Sequence, residues 1–81
     1  MNKRKPQEKI DAIKRTRMGA GYYAGRHMVD MFHEHGIDMT RQSYSNKETG
    51  ASKFTVDEIR VLSKVFKMPI ENAIRLFNDW D

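Results

Sequence analysis

The sequence contains no cysteine, which excludes disulfides, thiolate nucleophiles and zinc sites built on sulfur. Such a chain suits a reducing compartment, and the cytoplasm is the expected location. Long apolar runs are missing too, because charges interrupt every hydrophobic stretch after a few residues. Neither a signal peptide nor a membrane-spanning helix is therefore expected. There is no G-x-S-x-G and no P-loop, and the Gly19-Ala20-Gly21 run lacks the preceding strand that would make it a phosphate cradle. No enzyme and no cofactor is expected. His33-Glu34-His35 places its imidazoles on nearly opposite sides of a helix, unlike the H-E-x-x-H spacing that converges two ligands, so no metal is expected either.

At 81 residues the chain holds one small domain with one core. Its net charge of +4 and isoelectric point near 9.6 matter through their distribution. Residues 1–17 carry seven basic side chains, Lys3, Arg4, Lys5, Lys9, Lys14, Arg15 and Arg17, against Glu8 and Asp11. That segment is strongly positive while the remainder is close to neutral, the pattern of an arm that meets a polyanion such as nucleic acid. Residues 1–8 are read as a flexible basic arm and residues 9–81 as the folded domain.

Strand-type alternation is absent, whereas apolar residues recur at spacings of three and four, so the expected fold is all-α, a bundle of about five helices. Pro6 hinges the arm into a first helix carrying Ile10 and Ile13. Gly19, Gly21 and Gly25 favour a turn, although Met18, Tyr22, Gly25, Val29 and Phe32 share a helical face; the boundary over residues 17–27 stays open. Tyr22 and Tyr23 are better suited to helix packing than to stacking on bases. A second helix runs from about His27 to His35 and ends at Gly36. Thr40 or Asp38 can cap a third helix over residues 40–49, stopped by Gly50. Thr55 and Glu58 form a capping box for a fourth, whose stripe is Val56, Ile59, Leu62, Val65 and Phe66. Pro69 opens a last helix with Ile70, Ala73, Ile74 and Phe77 facing the core. The six methionines are read as core filler.

The third helix is the unusual one. Its exposed positions hold Arg41, Gln42, Ser45 and Asn46 rather than the Glu, Lys and Ala of an ordinary solvent face. Arginine reads guanine, and glutamine or asparagine reads adenine, through paired hydrogen bonds in the DNA major groove. Gln42 and Asn46, four apart, share a face, with Arg41 and Ser45 beside them, while Tyr44 and the stem of Lys47 supply the anchor on the other side.

The run "TRQSYSNKETGASKFTVDEIRVLSKVFKMPIENAIRLF" resembles the lambda repressor-like helix-turn-helix domains of the Cro and XRE type, common in phages and bacteria; the likeness covers about residues 36–78. The stretch Gly36-Ile37-Asp38-Met39-Thr40 is about two residues longer than the turn usual there. The resemblance implies a sequence-specific regulator that lays residues 40–49 in the major groove of a double-stranded operator. It implies base reading by Arg41, Gln42 and Asn46, phosphate contacts at Thr40, Thr49, Ser52 and Lys53, and a structural role for Glu48. The arm residues Lys3, Arg4 and Lys5 are the further phosphate candidates. One such domain covers few base pairs, so a homodimer on DNA is expected, with Leu76, Phe77 and Trp80 as its candidate interface or, alternatively, Phe77 and Trp80 closing the core. Such a regulator would be associated with the nucleoid. The competing reading is a modulator or anti-repressor that uses the same fold to bind another repressor protein.

Overall fold

A computed structural model of the chain describes residues 5–80. Among them are five helices and no strand: α1 (Gln7–Gly19), α2 (Gly25–Glu34), α3 (Arg41–Thr49), α4 (Val56–Val65) and α5 (Ile70–Phe77). The protein is an all-α bundle measuring 36 × 26 × 23 Å. No helix among the described residues is long and apolar enough to cross a membrane.

Helix boundaries follow local chemistry. Pro6 occupies the N-cap of α1 with φ −60° and ψ 149°, the extended geometry a proline imposes before a first turn. The Gly-rich segment after α1 is a turn, with Gly21 at φ 94°, so α1 and α2 are separate helices. Ala24 caps α2; its amide donates to Nδ1 of His27 at 3.1 Å, which gives that histidine a structural task. Thr40 accepts the Ser43 amide at 3.0 Å to start α3, and Gly50, at φ 95°, ends it in the left-handed region. The Thr55–Glu58 capping box is present in both directions, at 2.8 and 3.2 Å. Lys67, at φ 53°, is a non-glycine residue in left-handed geometry just beyond α4.

α2 packs on α3, α4 on α5, and α1 closes the bundle against α3 and α5. The core is built from Ile13, Met28, Phe32, Tyr44, Leu62 and Phe77, all fully buried, with Met31, Ile59 and Ala73 around them. Phe54 lies at its centre, although it belongs to a loop: its ring centroid is 6.5 Å from that of Phe32, 6.1 Å from Tyr44 and 5.6 Å from Phe77. Asn78 grips the same loop residue twice, accepting the Phe54 amide at 2.8 Å and donating to its carbonyl at 3.0 Å.

Three expectations need correction. The arm does not extend to residue 8, because α1 begins at Gln7 and Lys5 is buried. Val56, Ile70 and Ile74 do not face the core; they are 66, 39 and 47% exposed. The hydrophobic repeat was real, but helices of ten and eight residues in a bundle of this size have more apolar faces than neighbours to cover them. Nor are all the methionines filler, since Met18 is exposed.

Candidate nucleic-acid interface

α3 is held by a buried polar triad beneath it. Glu48, one helical turn after Tyr44, points inward and accepts the Tyr44 hydroxyl at 2.9 Å and Arg17 Nε at 2.8 Å. Arg17, near the end of α1, also donates through Nη1 to the Tyr22 carbonyl at 2.9 Å. Every member is satisfied, which is what permits a charged pair in a dry position. Burial and the neighbouring Glu48 carboxylate push the Tyr44 phenol far above its ordinary range. Glu48 thus has the structural role expected of it. Gly25 of α2 lies against the Tyr44 ring, where a Cβ would make an ordinary contact at 3.6 Å. A second anchor is Lys47, whose ammonium bonds both Glu58 oxygens at 2.6 Å and so ties α3 to the start of α4.

With Tyr44 and Glu48 turned inward and Lys47 bound to Glu58, the opposite side of α3 faces out. Arg41, Gln42 and Ser45 are exposed, and Asn46 is half-buried. Gln42 Nε2 donates to Asn46 Oδ1 at 3.0 Å, so the two amides are aligned across one helical turn. Arg41, Gln42 and Ser45 also border an open cleft of about 550 Å³, with Gly25 of α2 on its far side and Tyr44 and Glu48 at its floor. The structure therefore brings the four expected base readers to one surface of one helix.

The turn before α3 is long but ordered. Ile37 N–H bonds the Phe32 carbonyl at 2.8 Å, His33 Nε2 bonds the Met39 carbonyl at 2.9 Å, and Met39 is buried. This turn inserts Met39 into the core.

The expected phosphate contacts divide. Thr40 is exposed and its oxygen is engaged as the N-cap. Thr49 donates its hydroxyl to the Ser45 carbonyl at 2.8 Å, so that proton serves its own helix rather than a ligand. Ser52 and Lys53 are exposed in the loop after α3, whose path is set by Gly50, Ala51 and Ser52 amides converging on the Asn46 carbonyl. Lys3 and Arg4 lie outside the described residues. Lys5 is the clear correction: its ammonium is directed into the protein, donating to the Lys47 carbonyl at 2.9 Å and the Phe77 carbonyl at 3.1 Å. Burial lowers its pKa to about 8, with Glu48 opposing that shift and Lys9 adding to it.

Sequence reasoning missed this arrangement and the part Trp80 plays in it. The Trp80 ring lies 4.6 Å from Lys5 Nζ and 5.0 Å from Lys53 Nζ, two cations on one indole. Phe77 is fully buried, so between the two uses proposed for it the core is the observed one. Among the described residues no three His, Asp or Glu side chains gather as a metal site would require. No family model matches the chain, and no curated protein or solved structure is significantly similar to it.

Proposed function

We propose that the protein is a sequence-specific double-stranded DNA-binding regulator that inserts α3 in the major groove. The observation that carries this reading is the single surface of α3 on which Arg41, Gln42, Ser45 and Asn46 stand together, with the helix pinned from beneath by Arg17, Tyr44 and Glu48. The Gln42–Asn46 bond orders two of these amides before DNA arrives, which lowers the entropic cost of binding. Once made, each paired base contact contributes about 1–3 kcal/mol of discrimination. Lys53 and the arm cations add affinity that depends on salt and not on sequence.

Two copies reading half-sites about one helical turn apart supply the selectivity that one domain lacks. Phe77 being committed to the core, the face for a second copy is the exposed apolar strip of Val56, Ile70 and Ile74, which with Phe54 and Ile59 borders a shallow groove of about 190 Å³. Exposed charges of both signs flank it, Asp57 and Arg60 on α4 and Glu71 and Arg75 on α5, so a two-fold pairing can set acid against base.

The test is enrichment of random duplexes by the purified protein at near-physiological salt. Recovery of a two-fold symmetric motif supports the reading and supplies the operator. A folded, helical protein that enriches nothing refutes it and favours the protein-binding modulator, for which the same apolar strip would be the docking face.

A further inference from the structure

We propose that Lys5 is a positioning residue for operator recognition: its buried ammonium braces the end of α3 against the end of α5, and so fixes the base-reading surface relative to the apolar strip that meets a second copy. The proposal rests on the two-copy duplex-binding reading above and names the group that sets its half-site spacing. Lysine is among the residues least often buried, yet Lys5 is only 4% exposed. Nζ donates to the Lys47 carbonyl at 2.9 Å and to the Phe77 carbonyl at 3.1 Å. Both carbonyls stand in the last turns of their helices, which leave such oxygens without intrahelical partners and carry the negative ends of the helix dipoles. One cation serves two helix ends at once. The rings of Phe54 and Trp80, with centroids 5.6 and 4.6 Å from Nζ, complete the enclosure.

The two helices joined in this way do different work. α3 presents Arg41, Gln42, Ser45 and Asn46, whereas α5 carries Ile70 and Ile74 of the exposed strip. α3 packs on α2 and α1, and α5 packs on α4 and α1. Lys47 is where α3 is tied to both helices that bear the strip: its ammonium bonds Glu58 of α4, and its carbonyl receives Lys5. The first tie runs through a flexible four-carbon stem, while the second grips the backbone of α3 itself. Lys5 reaches that backbone from a fixed point. A Cβ on Gly50 would come within 2.6 Å of Lys5 Cβ and 3.0 Å of its Cα, so the chain at Lys5 lies directly on the glycine that ends α3. One added base pair moves a half-site by about 3.4 Å and turns it by about 35°. A braced α3 cannot follow that change, whereas an α3 held through the Lys47 stem alone can tilt toward it.

The experiment compares the full chain with Lys5→Met, a neutral side chain of similar length, on the enriched operator and on the same operator with one base pair inserted at its centre. The wild type should bind the lengthened operator about tenfold more weakly or worse, and Lys5→Met should narrow that ratio to about threefold. Base preference within each half-site should be the same in both proteins. A merely destabilised protein loses affinity for both duplexes alike, so the ratio separates positioning from stability. An unchanged ratio in folded Lys5→Met overturns the brace, as does a base preference altered along with it. Should Lys5→Met fail to fold, Lys5→Gln, which keeps one donor group, takes its place in the same comparison. A measurement without DNA tests the contact itself: near pH 6 the wild-type Lys5 ammonium should show through-hydrogen-bond couplings to the carbonyl carbons of Lys47 and Phe77. Absence of either coupling overturns the brace whatever the duplex result. Both couplings in a protein that enriches no operator overturn the DNA reading and, with it, the role assigned to Lys5; both in a protein indifferent to spacing overturn the two-copy reading in the same way.

Discussion

Replacing Glu48 by alanine should destabilise the protein severely. The substitution strands two buried groups, the Arg17 guanidinium, left only its bond to the Tyr22 carbonyl, and the Tyr44 hydroxyl. Removing one partner of a buried ion pair costs about 3–5 kcal/mol, because the remaining charge keeps its desolvation penalty without its compensation. A domain of this length is stabilised by about 4–12 kcal/mol in total. The expected change is therefore a large share of the whole, a fall in melting temperature of about 12 °C or more. Urea denaturation followed by helical circular dichroism, with Trp80 fluorescence as a second probe, measures it. The argument also fixes the sign of a rescue. Arg17→Met/Tyr44→Phe/Glu48→Leu removes all three polar groups together and should recover most of the loss. A Glu48→Ala protein destabilised by less than about 1 kcal/mol would refute the view that the triad holds α3. A triple variant no more stable than the single one would show that shape, not charge compensation, governs the site.

Four further outcomes are expected. Gly50→Ala should cost clearly more than Gly36→Ala in chemical denaturation: both positions have positive φ, but a new Cβ at Gly36 meets nothing within 4 Å whereas at Gly50 it meets Lys5. Lys67→Gly should stabilise by about 0.5–1 kcal/mol, as it relieves a left-handed lysine, and a loss of stability would show that the Lys67 side chain makes a contact of its own. Tyr44 ionises far more readily unfolded than folded, so its contribution to stability is complete below about pH 10 and is lost as pH rises beyond; the alkaline fall in melting temperature should be shallower in Tyr44→Phe. On an enriched operator, Gln42→Ala should alter the preferred base at one position in each half-site, while Lys53→Ala weakens all duplexes alike. An unaltered preference in Gln42→Ala removes that side chain from the readout.

How much of this was legible beforehand depends on the range of the interactions concerned. Caps are chemistry between residues three or four apart, and Thr40, Gly50 and the Thr55–Glu58 pair announce themselves in the sequence. The outward set on α3 was legible for the same reason, since helical periodicity alone places Arg41, Gln42, Ser45 and Asn46 beside one another once Tyr44 is taken as the anchor. Periodicity cannot say whether an apolar stripe finds a neighbour, which is why Ile70 and Ile74 read as core residues and Val56 as part of the α4 stripe although all three are exposed.

By itself, then, the sequence determined the number of helices, most of their ends and the chemical character of the α3 surface, because all of these are set by local backbone bonding and side-chain type. Only the tertiary structure decided the destinations of single long side chains. Lys5 reads as one more cation in a basic arm until α3 and α5 present two carbonyls 42 and 72 positions further along the chain. Arg17 likewise reads as a surface charge until Glu48, 31 positions away, turns under α3 to meet it. A lysine or arginine carries its charge at the end of a flexible stem, and whether that charge faces phosphate or closes the protein's own interior depends on which distant backbone the fold brings within reach.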